Sequence, residues 1–148
     1  MPVGVSPTDR LWTRAGVKAV IVRDHQLLLL RRRDDLPLWP GCWDLPGGIV
    51  LPSDRTLGSA IRRSVGEETG LRVTVGEPVH VALRRLRPKD EPPFPSLLAC
   101  FRCTVRSRGS VRLDPGEHTE FLWATRREVP LHRVPADLRP AVERAFAL

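Results

Sequence analysis

Apolar positions along this chain fall into short blocks divided by turns, with little sign of long helical stripes. Ala15–Val22 and Leu27–Arg31 are two such blocks, and the polar Arg23-Asp24-His25-Gln26 between them reads as a turn joining two strands. Leu71–Val75, Val79–Leu86, Leu97–Val105 and Phe121–Ala124 are further strand candidates. Asp34–Gly41 carries two prolines and reads as a loop leading into a short extended piece, Cys42–Leu45. Pro46-Gly47-Gly48 then demands a tight backbone passage free of Cβ atoms. Helical spacing appears in Thr56–Thr69, with Gly70 placed to stop it just after the C-cap. Pro88–Pro95 reads as an exposed connection, and Leu138–Phe146 as a closing helix with Pro135 or Pro140 in its first turn. Strands with one mid-chain and one terminal helix predict an α/β layered domain.

The mid-chain helix carries the first chemical signal. On a wheel of about 100° per residue, Leu57, Ile61 and Val65 form a stripe facing the core. Glu68 falls at the edge of that stripe, with Glu67 about 100° away and Ser64 between them. A carboxylate beside an apolar stripe is expensive to bury without a partner. Two carboxylates on the last turn also oppose the helix dipole. A bound divalent cation would relieve both penalties, and Arg63, one turn earlier, could neutralise or orient Glu67. The plain alternative is a surface pair of glutamates with an i,i+4 arginine.

Composition narrows the classes. The 148 residues suit a single domain over 1–148, with residues 1–12 expected as a loose N-terminal tail. An apolar fraction of 41% and a charged fraction of 28% exclude wholesale disorder. Leu27–Leu30 is the longest clean apolar run, far short of a membrane span or signal-peptide core, so a soluble, cytoplasmic protein is expected. The net charge is +7, and of 24 basic residues only Lys18 and Lys89 are lysines. Arginine forks suit a phosphate-bearing partner, although the same residues could simply cover solvated faces. Arg102, Arg106, Arg108 and Arg112 form no cluster with an aromatic platform, so a nucleic acid is not favoured. Three cysteines, an odd count, argue against a disulfide framework. Cys100 and Cys103, three apart on a strand, would point to opposite faces as buried thiols. The histidines at 25, 80, 118 and 132 show no paired ligand spacing, so zinc has no support.

The stretch from Gly47 to Leu71, GGIVLPSDRTLGSAIRRSVGEETGL, resembles the Nudix box. In that family a glycine, five residues, Glu and seven residues precede Arg-Glu-aliphatic-x-Glu-Glu-x-Gly-aliphatic. Arg63-Ser64-Val65-Gly66-Glu67-Glu68-Thr69-Gly70-Leu71 matches the second half with one mismatch. Trp43-Asp44-Leu45-Pro46-Gly47-Gly48 is similar to the family's lead-in, and Glu117–Trp123 to a segment before its last strand. Two departures stand out. Ser64 replaces the Glu of the Arg-Glu pair, and the loop is one residue longer, so that Asp54 or Arg55 falls at the first-Glu position.

The resemblance implies a Nudix-type α/β/α sandwich with a mixed β-sheet. It implies Mg²⁺ or Mn²⁺ held by Glu67, Glu68 and the Gly47 carbonyl, the metal bridging to a pyrophosphate. Arg63 belongs to the same catalytic group, and Gly47 and Gly48 to the substrate passage. Arg32 is placed like an arginine that grips substrate phosphate in mutator-type relatives, or else is one member of the solvated Arg31–Arg33 run. Glu117 and Glu120 lie where some relatives supply a base from outside the box, and Asp54 is a third candidate. Trp39 and Trp43 flank the glycines, where either could stack on a base or simply pack, packing being the favoured reading for Trp43. The implied function is metal-dependent hydrolysis of a phosphoanhydride in a nucleoside diphosphate derivative or nucleoside triphosphate. A weakly active or non-catalytic nucleotide- or partner-binding module is the alternative that Ser64 raises. A nucleotide is the implied partner, no membrane is, and a homodimer is compatible with the family.

Overall fold

The first two apolar blocks form a hairpin, β1 (Gly16–Arg23) and β2 (Gln26–Arg32), in the computed structural model, which describes residues 14–106 and 109–147. Asp24 and His25 both take positive φ, 52° and 63°, as a two-residue hairpin turn requires. The expected tail at residues 1–12, like Arg108, lies outside the described residues. Next come β3 (Trp43–Asp44), α1 (Leu57–Thr69), β4 (Val73–Leu86), β5 (Phe94–Val105) and β6 (His118–Thr125). Two 3-10 turns, Val129–Leu131 and Ala136–Leu138, lead into α2 (Arg139–Ala145).

The sheet is mixed, as expected. Its order is β3-β2-β1-β5-β4, with β6 pairing β2, and among the described residues only the β1–β5 pair is parallel. Val17, Ala19 and Ile21 of β1 face one core with Ala60, Ile61 and Val65 of α1. Val20 faces the other, with Leu138, Ala141 and Val142 around α2. Leu27–Leu30 is buried throughout because both faces of β2 are covered, which explains a continuous apolar run where a half-exposed strand would alternate. Cys100 and Cys103 do lie in opposite cores, all three cysteines are free, and burial pushes these two thiols up to about 11 and 12. No helix among the described residues is long and apolar enough to cross a membrane.

Several boundaries differ from expectation for physical reasons. Leu71–Val75 and Val79–Leu86 belong to one strand, β4, whose register shifts around Pro78. The bulge absorbs the missing proline N–H, and Gly76 lets the backbone pass where a Cβ would sit 3.0 Å from the Arg102 carbonyl oxygen. Strand β5 begins earlier than expected because Pro95 pairs only with Arg85, and pairing with β1 starts later, at Leu98. Pro88 is buried, and Lys89 N donates to the Pro37 carbonyl at 2.9 Å, so the two proline-rich loops meet. Leu57 is 41% exposed and does not join the α1 stripe. Its wheel angle is right, but the first turn reaches solvent before Ala60 and Ile61 meet the core.

Candidate active site

Helix α1 aims its C-terminal end at the glycine passage. Thr56 and Ser59 form a capping box at its start, and Gly70, at φ 73°, closes its end. Before the helix, Pro46–Gly48 runs beside β1, with Ala19 N donating to the Pro46 carbonyl at 2.7 Å and Val17 N to the Gly48 carbonyl at 2.9 Å. Gly47 has φ 140°, and a Cβ there would stand 2.1 Å from the Val17 carbonyl oxygen. Only glycine fits. Its amide donates to Glu68 Oε1 at 2.9 Å, which ties the passage to the helix.

A buried ammonium lies under the same passage. Lys18 Nζ donates to Asp44 Oδ2 at 2.9 Å and to the Leu45 and Gly47 carbonyls at 3.3 Å each. The Gly47 carbonyl that the sequence offers as a metal ligand is therefore engaged by Lys18. Burial alone would raise the Asp44 carboxyl, but Lys18 and Arg32 outweigh it and hold it below its ordinary value.

Glu68 is 6% exposed, and burial pushes its carboxyl up to about 8 against the pull of Lys18 and the Gly47 amide. The start of β6 supplies its neighbours. Asp114 N donates to the Glu68 carbonyl at 3.4 Å, and the Asp114 carbonyl accepts from Glu117 N and His118 N at 3.2 Å each. Ligand atoms of Glu68, Glu117 and His118 consequently all lie within 4.8 Å of one another. His118 is 2% exposed, and neither ring nitrogen has a hydrogen-bond partner among the described residues. Burial lowers its pKa by more than the nearby Asp44 carboxylate raises it. Two carboxylates and an orphaned buried imidazole converging on one point fit a divalent cation.

The other predicted residues divide between this trio and its surroundings. Glu67 is exposed and pairs with Arg63 at 3.3 Å, outside the trio. Arg63 also grips Asp54 with two nitrogens, at 3.0 and 2.8 Å, and donates to the Ile49 carbonyl at 2.9 Å. Asp54 in turn accepts from Leu51 N at 2.8 Å, so this pair clamps the loop that follows the glycines. The Arg63 grip holds the Asp54 carboxyl below its ordinary value. Ser64 is buried facing Gly48, and its hydroxyl donates back to the Ala60 carbonyl at 2.8 Å. Glu120 is exposed and stands 3.7 Å from Arg31, away from Glu117.

Arg32 differs from its neighbours. Its Nε donates to the Leu38 carbonyl at 2.8 Å and its Nη1 approaches Asp44 Oδ2 at 3.5 Å. Arg31 and Arg33 instead pair with the exposed Asp34 and Asp35. Trp43 packs edge-on against His132, and Trp39 lies under the Arg84 guanidinium, 5.0 Å away. Lys18, Asp44 and His118 were not singled out from the sequence. A lone charge inside the apolar β1 run is the signal that marks Lys18. His118, judged by sequence spacing alone, gave none.

Comparison with known proteins places these features in a wider group. The family model described as NUDIX domain matches residues 12–145. A MutT-like protein of Streptomyces ambofaciens is 38% identical over 116 residues, covering 77% of this chain and 65% of that protein, just under two thirds of its length. A putative 8-oxo-dGTP diphosphatase of Bacillus subtilis (strain 168) is 29% identical, covering 81% of this chain and 72% of that protein. Among solved structures, the MutT protein of Methanosarcina mazei Go1 is 29% identical with a TM-score of 0.70, over 88% of this chain and 91% of that one.

Proposed function

This chain belongs to the NUDIX family, and on that premise we propose that it is a divalent-metal-dependent pyrophosphohydrolase acting on a nucleoside triphosphate or a nucleoside diphosphate derivative. The observation that carries the reading is the convergence of Glu68, Glu117 and His118 beside the Gly47 passage. Glu68 and Glu117 hold the cation, Mg²⁺ or Mn²⁺, with Glu67 adding negative charge on the exposed side of the same turn. When bound, such an ion neutralises pyrophosphate charge and acidifies the attacking water. Arg63 and Asp54 keep the loop after the glycines in place, and Arg32 fixes the Asp34–Gly41 loop through Leu38. Gly47 and Gly48 let the substrate's phosphates approach the backbone.

Ser64 cannot accept a proton near neutral pH, so the base comes from outside the helix. We assign that role to Glu117, the exposed carboxylate of the trio, whose oxygen not taken by the cation would accept the proton, in preference to Glu120, which pairs with Arg31. The substrates are soluble nucleotides, and the cytoplasm is where we place the activity. The Bacillus subtilis relative makes an oxidised purine triphosphate the first compound to assay. Release of nucleoside monophosphate from a nucleotide panel, with Mg²⁺ or Mn²⁺ and with chelator, tests the reading. Metal-dependent release from at least one nucleotide is expected. Tight nucleotide binding with no release at any metal concentration would instead establish the non-catalytic module, which the inward-bonded Ser64 hydroxyl favours.

A further inference from the structure

We propose that His118 is a nitrogen ligand of the metal, so that the site is a mixed nitrogen–oxygen centre that prefers Mn²⁺ to Mg²⁺. This rests on the metal-dependent reading above and deepens it. An imidazole withdrawn from water with neither nitrogen bonded forfeits both of its hydrogen bonds, which a folded protein tolerates only where another group supplies them. Asp44, Lys18 and Arg32 act on that ring, and Glu68 and Glu117 bring ligand atoms within 4.8 Å of its own. Ligands about 2.1 Å from an octahedral ion stand about 3 Å apart when adjacent and about 4 Å apart when opposite. The three side chains need only a small contraction to meet one ion.

A second observation points the same way. Lys18 donates to the Gly47 carbonyl, so an ion seated on that oxygen would sit beside an ammonium. Lys18 makes its hydrogen bonds to Asp44, Leu45 and Gly47, so the donor atoms of Glu68, Glu117 and His118 are left free of it, although its charge reaches Glu68 and His118. Mg²⁺ takes oxygen ligands, whereas imidazole suits the transition metals, and affinity for a given nitrogen-bearing site rises from Mn²⁺ toward Co²⁺ and Ni²⁺. A single nitrogen among the ligands therefore tilts the site away from Mg²⁺. The competing explanation for His118 is a water bridging it to Asp44 Oδ1, which is likewise buried without a partner.

Pulsed electron paramagnetic resonance of Mn²⁺ bound to the full-length protein separates the two, because it reads nitrogen coupling without turnover. Directly bound imidazole gives nitrogen-14 modulation that changes on nitrogen-15 histidine labelling and vanishes in His118→Gln. The same variant should lose about tenfold or more in Mn²⁺ affinity while Mg²⁺ affinity holds. Where His118→Gln fails to fold, the same labelling of a folded variant with His25, His80 and His132 replaced by glutamine, leaving His118 as the sole histidine, decides the matter. Bound Mn²⁺ without nitrogen coupling, no Mn²⁺ binding at all, or an unchanged Mn²⁺ affinity in a folded His118→Gln would each overturn the proposal. Nitrogen coupling in a protein that hydrolyses no nucleotide would uphold it and sink the hydrolase reading; hydrolysis with Mn²⁺ bound by oxygen alone would do the reverse.

Discussion

Two neighbouring glutamates at the end of α1 live in opposite surroundings. Glu67 is exposed and already paired, within a chain of ion pairs running through Arg63 to Asp54. Glu68 is buried, accepts one backbone hydrogen bond, and faces Glu117 and an imidazole with no partner among the described residues. On the first side both carboxylates are held by the one Arg63 guanidinium, and the arrangement fastens a loop. On the second side two carboxylates and an imidazole gather near Lys18, whose charge is already paired with Asp44, so a cation would complete the arrangement. Paired charge builds structure; concentrated unpaired charge builds a site.

The sharpest way to break this contrast is Glu68→Gln, which keeps shape and the Gly47 hydrogen bond but removes the charge. Turnover should fall roughly 10³-fold with the protein still folded, as read by steady-state kinetics and circular dichroism. Lys18→Met comes next. It leaves Asp44 buried with only the distant Arg32 contact, and should lower stability by about 3 kcal/mol in denaturant unfolding.

A pH series on metal-free protein probes the unbalanced side directly. Glu68 has a folded pKa raised to about 8 by burial, from an ordinary value of 4.5. Its contribution is therefore fully present below the ordinary value and is lost as pH rises through the folded one. The melting temperature should drop by roughly 5 °C between pH 5 and pH 8, and saturating metal at pH 8 should restore it. A flat profile would mean that Glu68 is already balanced within the protein. The paired side should respond least. Asp54→Asn weakens one end of the clamp while Glu67 still holds Arg63, so we expect about a fivefold loss of turnover and little change in metal affinity.

Much of the fold was legible because its signals are local. The β1–β2 hairpin, the capped helix before Gly70 and the glycine passage each declare themselves within a few residues. The bulge that merges two expected strands into β4 did not, because only pairing with β5 keeps the chain extended past Pro78. In the site, Arg63, Glu67 and Glu68 could be read from helical spacing and a family resemblance. So could their contrast in burial, because Glu68 sits at the edge of the apolar stripe; the company that Glu68 keeps could not. It depends on Asp114 and its turn, which bring Glu117 and His118 to one glutamate and not to the other. Lys18 and Asp44 are 26 positions apart, and no spacing rule links them.

The contrast is tested most directly by measuring the affinity of one divalent cation, Mn²⁺, for folded Glu68→Gln and Glu67→Gln by calorimetric titration beside the wild-type protein. The buried, unpaired position predicts a loss of about tenfold or more for Glu68→Gln and a clearly smaller one for Glu67→Gln. Equal losses, or the larger loss at Glu67, would contradict it and return the metal to the exposed side of the helix.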